Sequence, residues 1–222
     1  MASLLQPQQV AIDGPAGSGK SAVGRRVAAE LGLPFIDSGI LYRAVALAAL
    51  QRETDTSAAS ADCLAGVAVR LRLELLPDRL AIDGLEVGQA LYAPDVSEAA
   101  SRVAELPQVR AALLPQLRRL ARFGAVMAGR DIGTVVLPQA RHKFFLNASV
   151  EERVRRRQLQ QHGRGLTPDA AALRREIEER DRRDRERSAS PLKVAQDAKT
   201  LNTDRLDLDQ VVNSILNTVR SS

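Results

Sequence analysis

Tryptophan is absent from this 222-residue chain, and aromatic residues of all kinds make up 3% of it. Two tyrosines and four phenylalanines leave little from which to build a base-stacking platform for single-stranded nucleic acid. The single cysteine, Cys63, excludes an internal disulfide and a cysteine-rich zinc site, and it suits a reducing compartment. The two histidines, His142 and His162, have no partner motif and read as ordinary surface residues. No apolar run approaches the length of a membrane span. Residues Met1 to Gln9 lack a basic segment followed by an apolar one. Neither a secretory signal nor a membrane partner is therefore expected, and a cytoplasmic location is.

What is present is 45% hydrophobic, so a sizeable core of Leu, Val and Ala is expected rather than global disorder. The length suits one ordinary domain with insertions, or at most two small ones. A net charge of +5 fits either a nucleic-acid binder or an enzyme acting on phosphorylated small molecules. The arginines fall in separated clusters beside other motifs, which favours discrete phosphate pockets and no nucleic-acid partner.

The chain is organised around Gly14-Pro15-Ala16-Gly17-Ser18-Gly19-Lys20-Ser21, the spacing of a phosphate-binding loop. Glycines let the backbone curl so that several N–H groups converge on anionic oxygens. Lys20 can reach the outer phosphates of a nucleotide, and the Ser21 hydroxyl can ligate Mg²⁺. The preceding Val10-Ala11-Ile12 reads as a buried strand ending at Asp13. Val23, Val27 and Leu31 then recur on one helix face until Gly32 and Pro34 stop it. Strand, loop and helix in that order set a phosphate at a helix N-terminus.

Further along, Pro34 to Asp37 predicts a second strand, and Ile40 to Gln51 a helix. Ala61 to Ala68 predicts a short helix. Alternation from Val69 to Leu75 predicts a half-exposed strand, Pro77-Asp78 a turn, Arg79 to Asp83 a returning strand, and Leu85 to Val87 a third after Gly84. This small antiparallel sheet interrupts the αβ rhythm as an insertion. Helices follow at Pro94 to Ala104 and Pro107 to Arg122, with strands at Ala125 to Ala128 and Lys143 to Leu146. Ser149 and Glu152 form a capping box before a basic helix broken at Gly163-Arg164-Gly165. Thr167-Pro168 caps a charged helix reaching about Arg187. A weak fifth strand, Lys199 to Asn202, and a last helix around Val211 to Val219 complete a parallel α/β sheet with its site at the strand C-terminal ends.

Asp37-Ser38-Gly39 and Gly129-Arg130-Asp131 lie at predicted strand C-termini and so at the same crevice as the phosphate loop. Arg180, Asp184 and Arg187 share one helix face, with Asp181 and Arg185 on a second stripe. Spacing alone favours a solvated charged face there. Arg153 to Arg157 form either a solvated basic helix or a lid whose arginines stabilise a transferring phosphoryl group and exclude water.

Four stretches, in this order and spacing, resemble the bacterial cytidylate kinase family over about Val10 to Arg220. They are Ile12-Asp13-Gly14-Pro15 with its loop, Asp37-Ser38-Gly39 with Leu41-Tyr42-Arg43, Gly129 through Val136, and Glu179-Arg180-Asp181 through Pro191. The resemblance implies one nucleoside-monophosphate kinase domain: a P-loop NTPase-type five-stranded parallel sheet flanked by helices, a monophosphate-binding region with a small antiparallel β insertion, and a helical lid. The core would be 1–37, 123–150 and 188–222, the monophosphate-binding region 38–122, and the lid with its following charged helix 151–187.

The implied reaction moves the γ-phosphoryl of ATP, with Mg²⁺, to CMP or dCMP. ATP would meet Gly14, Pro15, Ala16, Gly17, Ser18, Gly19, Lys20, Ser21 and Ala22, with Arg156 and either Arg153 or Arg157 from the lid. The monophosphate would meet Ser38, Tyr42, Arg43, Ser101, Arg110, Arg130, Asp131, Arg180, Asp184 and Arg187. Lys20, Arg130 and Arg187 would be catalytic, and Ser21 with Asp37, through water, would serve the metal. The family usually carries an acid just before Gly-Arg-Asp; here Ala128 stands there. A monomer is expected. Two alternatives are a kinase of the same fold for UMP, AMP or shikimate, and a nucleotide-dependent switch or nucleic-acid binder.

Overall fold

A computed structural model describes residues 8–75, 80–83, 85–86, 88–163 and 165–221. Among these residues five strands form a parallel sheet, and alternation along each strand divides its side chains between two apolar layers. Strand β1 (Gln9–Asp13) lies at the centre, flanked by β6 (Ala125–Gly129) and β7 (His142–Asn147), with β2 (Phe35–Asp37) and β8 (Lys199–Asn202) at the edges. The order is β2-β6-β1-β7-β8, and every pairing is parallel. Ala11 and Met127 face one layer while Val10, Ile12 and Val126 face the other, as a period of two requires.

Helix α1 (Lys20–Leu31) and helix α8 (Leu208–Arg220) cover the second layer through Val23, Val27, Val212 and Ile215. Helix α8 starts at a complete capping box between Asp207 and Gln210. The first layer is filled by α2 (Gly39–Leu50), α3 (Ala61–Arg70), α4 (Pro94–Val103) and α5 (Pro107–Leu120). Between α3 and α4 a separate antiparallel sheet joins β3 (Leu73–Leu75), β4 (Leu80–Ile82) and β5 (Leu85–Glu86). Helices α6 (Val150–His162) and α7 (Ala170–Glu186) pack on each other through Val154, Leu173 and Ile177, as a cluster separate from both layers. No described helix is long and apolar enough to cross a membrane.

Several boundaries differ from the sequence-based expectation. The alternating run from Val69 does not begin a strand, because α3 continues through Val69 and Arg70. Its buried Ala61, Leu64, Val67 and Ala68 follow a helical period, and Val69 is left exposed on the last turn. The expected turn at Pro77-Asp78, together with Arg79, Gly84, Val87 and Arg164, lies outside the described residues. Helix α7 is capped by Asp169, whose carboxylate accepts from the Ala171 N–H at 2.8 Å, and not by Thr167. At α6 the Ser149 half of the box forms, but Glu152 turns to Arg155 and Arg156 instead of closing it. His142 is a buried residue of β7 rather than a surface one, because the strand begins one residue before Lys143 and pairs at once with Val10.

Candidate active site

The phosphate loop joins β1 to α1 and is held in a tight curl. Gly14 has φ of 149°, and a Cβ there would lie 2.1 Å from the Leu146 carbonyl oxygen, so only glycine lets the loop sit on the end of β7. Gly19 caps α1 in the left-handed region, which leaves the first helical N–H groups aimed outward. Lys20 is buried and folds back on the loop, donating to the Pro15 carbonyl at 2.6 Å and to Ser18 Oγ at 3.3 Å. Ala22 is exposed on α1. The Ser21 hydroxyl donates to Asp37 Oδ2 at 2.7 Å across from the end of β2.

A cation-rich cleft opens from this loop. Burial and the neighbouring Arg130 hold the Lys20 ammonium well below the usual lysine range, with Asp37 and Asp184 opposing. Burial and Arg130 likewise lower Arg180 to about 10, and Arg43 and Arg157 add to the repulsion. Arg130 itself is raised: burial opposes its charge, but Asp184 at 2.7 Å and Asp37 outweigh that. Asp184 is lowered, since Arg130, Arg180 and Arg187 overcome its burial. Two buried nitrogens, Arg180 Nε and Arg187 Nη2, have no hydrogen-bond partner. Buried donors of this kind require an acceptor, and the excess of cations requires an anionic one.

Beyond the cleft a cavity of about 180 Å³ is lined by Tyr42, Arg110, Leu114, Asp131, Val136 and Ser190, among others. Arg110 and Asp131 are joined in it as a buried ion pair, and Arg110 also donates to the Ala104 carbonyl at 3.0 Å. The Arg110 guanidinium lies 5.2 Å from the Tyr42 ring centroid. Burial pushes the Tyr42 hydroxyl up to about 12, against the pull of Arg110, so it stays a hydroxyl near neutral pH. Ser190 is held at φ of 51°, and its carbonyl accepts from Arg187 Nε at 2.8 Å.

A family model described as cytidylate kinase matches residues 10–221. The chain belongs to the cytidylate kinase family. A cytidylate kinase of Exiguobacterium sibiricum is 46% identical over 209 residues, covering 92% of this chain and 93% of that one. One of Desulforamulus reducens is 44% identical over 217 residues, covering 96% and 97%. A solved structure of an uncharacterized protein from Eubacterium ventriosum has a TM-score of 0.53 at 12% identity, covering 96% of this chain and 98% of that one. That likeness speaks for the fold alone. Family membership makes this chain an ATP-dependent nucleoside-monophosphate kinase, a class that works with a divalent metal. Among the described residues no group of three or more His, Cys, Asp or Glu could hold a metal unaided. The Ser21–Asp37 pair is an all-oxygen donor set, which suits a hard cation held mainly by water and phosphate oxygens.

Of the residues expected in this kinase's site, Lys20, Asp37, Arg43, Arg130, Arg157, Arg180, Asp184 and Arg187 converge closely enough for their charges to interact. Ser38 is spent on the Ala128 carbonyl, 3.0 Å from its Oγ. Ser101 is buried on α4. On α6, Arg156 reaches Thr203 with both terminal nitrogens. Arg157 is half-exposed, 4.0 Å from Glu176.

Residues not expected from sequence also shape the site. Ser97 Oγ accepts from Arg43 at 2.6 Å and donates to the Ala93 carbonyl. Tyr92 lies against the Arg43 guanidinium, 5.4 Å from ring centroid to Cζ. Asp13 accepts from the N–H groups of Ile132 and Gly133 at 2.8 and 2.7 Å, and so ties the end of β1 to the π-helical turn (Ile132–Val136) that follows Arg130-Asp131. The visible signal for Asp13 was its place as the last strand residue before the loop. Ser97 carried no signal.

Asp13 makes a pH prediction. Its carboxyl is pushed up from 3.8 to about 6, by burial first and by Asp131 in part, against the Gly133 and Ile132 N–H groups and Lys20. A raised carboxyl pKa means the native state binds the extra proton, so this site's contribution is fullest below 3.8 and is lost as pH rises through 6. Between pH 5 and pH 7 the wild type should lose about 1 kcal/mol relative to Asp13→Asn, whose amide does not titrate. Urea unfolding of both proteins at the two pH values measures this; an unchanged difference would return Asp13 to the ordinary carboxylate range.

Proposed function

We propose that this chain transfers the γ-phosphoryl group of Mg²⁺–ATP to CMP or dCMP, giving CDP or dCDP and ADP. The observation that carries the reading is the Arg110–Asp131 pair. It places a donor and an acceptor side by side in a cavity sized for one flat ring, beside a cation-rich cleft in which Arg180 Nε and Arg187 Nη2 have no hydrogen-bond partner. Cytosine presents a complementary edge, with an N4 amine for Asp131 and the N3 and O2 acceptors for Arg110.

The rest of the site follows from charge. Arg43, Arg130 and Arg187 neutralise the acceptor phosphate, which must approach a second anion. Arg180 and Asp184 hold the ribose hydroxyls. The loop from Gly14 to Ser21 binds the donor phosphates, and Lys20 stabilises charge developing on the γ-phosphoryl group. Ser21, with Asp37 through water, would hold the Mg²⁺ that comes with the nucleotide, and the ion would supply further positive charge on the outer phosphates. The acceptor is already a dianion near neutral pH, so positioning and electrostatics dominate and no strong base is needed. Arg156 and Arg157 serve ATP from the lid at 151–187, over a core of 1–37, 123–150 and 188–222 and a monophosphate-binding region of 38–122. The protein works as a cytoplasmic monomer on small molecules, without a nucleic-acid partner.

The test is ADP release from Mg²⁺–ATP with each monophosphate in turn. CMP and dCMP should drive it, with UMP and AMP far behind. Release driven best by AMP, UMP or shikimate would overturn the base assignment.

Ala128 gives a second test. It is buried at the end of β6, opposite Asp37 in register, and belongs to neither apolar layer. A carboxylate there would stand beside Asp37 and add to the metal's water shell. Ala128→Asp should lower the Mg²⁺ concentration for half-maximal rate about threefold or more, at a stability cost of roughly 1–3 kcal/mol for burying the acid. An unchanged Mg²⁺ dependence in the folded variant would show the position to be dispensable.

A further inference from the structure

Arg153 opens the lid, yet its guanidinium points inward and is 4% exposed. Its Nε donates to the carbonyls of Ala148 and Ser149 at 3.1 and 3.4 Å. Its Nη1 donates to the Ala16 carbonyl at 3.2 Å and to Asp181 Oδ1 at 2.9 Å, and its Nη2 donates to Asp181 Oδ2 at 2.6 Å. Asp181 is 3% exposed. One side chain therefore joins the end of β7, the phosphate loop and the middle of α7. The loop also rests on its stem, for a Cβ on Gly17, at φ of 78°, would lie 3.3 Å from Arg153 Cβ. On α7 the neighbours of Asp181 belong to the other half of the site: Arg180 is adjacent, and Asp184, three residues on, binds Arg130.

A buried ion pair is a weak source of stability, because removing both charges from water costs about as much as their attraction returns. A bidentate guanidinium–carboxylate pair does fix orientation. We propose that Arg153 and Asp181 are positioning residues that set the phosphate loop against α7, and so the donor phosphate against the acceptor, and that Arg153 is not an ATP-binding arginine. The inference rests on the two-substrate reading above and names the side chains that align its halves. Each half keeps its own ligands when the pair is broken, so each substrate still binds. Transfer is what suffers, since a misplacement of about 1 Å can cost about a hundredfold. The signature lies in kcat rather than in KM.

The experiment compares the wild type with Asp181→Asn, Arg153→Lys and the double variant. Melting curves first fix a temperature at which each is folded. If Asp181→Asn does not fold, Arg153→Lys, which keeps the charge balance, carries the test. Each single variant should lower kcat about ten- to a hundredfold with both KM values held within about twofold. The double variant should be no worse than the singles, because the pair acts as a unit. Calorimetric titration of ATP in the absence of acceptor should give an affinity close to wild type for every variant. A loss of ATP affinity in Arg153→Lys with normal behaviour in Asp181→Asn would make Arg153 an ATP ligand and overturn the proposal. Unchanged kcat in folded variants would overturn it too, leaving a packing contact. The wild type run alongside separates this inference from the function: a wild type that phosphorylates no monophosphate counts against the function, and normal transfer in every variant counts against the pair alone.

Discussion

Replacing Lys20 with alanine should leave a folded protein that transfers phosphate about a hundred- to a thousandfold more slowly, a loss of about 3–4 kcal/mol of transition-state stabilisation. Lys20 is the buried cation nearest the phosphate loop's own carbonyls. On the function proposed above, its ammonium would exchange the Pro15 carbonyl for phosphate oxygens, and its charge would count for most when negative charge builds on the γ-phosphoryl group. The effect on folding should be small. The ammonium sits near Arg130 and Arg180, and burial and those cations hold its pKa down against Asp37 and Asp184, so removing it relieves repulsion as it leaves the Pro15 carbonyl and Ser18 Oγ without that donor. The melting temperature should therefore hold or rise. Melting curves and single-turnover rates at saturating ATP and CMP check both halves. A folded variant with near-normal turnover would sink the phosphate-loop assignment.

The framework of this fold was legible because it is written in local patterns. Val10-Ala11-Ile12 ends at Asp13 and leads into the glycines, and the helix face of Val23 and Val27 follows. The structure adds only a residue here or there to those bounds. The insertion was legible as an antiparallel sheet because Leu73 and Leu75 alternate with charge. The same alternation misled at Val69, where the helical period of Leu64, Val67 and Ala68 won the preceding turn.

What stayed hidden depends on partners far apart in the chain. The π-helical turn after Asp131 exists because Asp13, 119 residues away, accepts from Ile132, and because Arg118 donates to the carbonyls of Val135 and Val136. No window of sequence around Ile132 contains those groups. Ser97 meets Arg43 only because α4 packs on α2. The charged face of α7 looked like a solvated surface by spacing. Asp181 and Asp184 are instead buried, since α7 lies against α6 on one side and Arg130 on the other. A helix that carries charge on most faces leaves periodicity with nothing to distinguish the face that pairs from the face that is wet.

Asp131→Asn should narrow the preference for CMP over UMP in kcat/KM, and should lower kcat/KM for both. Cytosine places an N4 donor beside the N3 acceptor, while uracil places the O4 acceptor beside an N3–H donor. Asp131 offers only acceptors and Arg110 only donors. With UMP in the cavity the carboxylate would face O4 and the guanidinium an N–H, in a pocket where both groups are buried. Unmade buried bonds of this kind cost roughly 1–3 kcal/mol each, more for charged groups, so the wild type should reject UMP strongly. An amide at 131 can turn its NH₂ toward O4 and recover one bond. It also loses the charge that holds Arg110, and Arg187 Nη2 sits 3.9 Å from the same carboxylate, so both substrates should lose some positioning. A fall of about tenfold or more in the CMP-to-UMP ratio corresponds to the recovery of one such bond, about 1.4 kcal/mol. The measurement is kcat/KM for both nucleotides with both proteins. An unchanged ratio would mean that Asp131 steadies Arg110 without touching the base, and the reading of the base would pass to Arg110 alone.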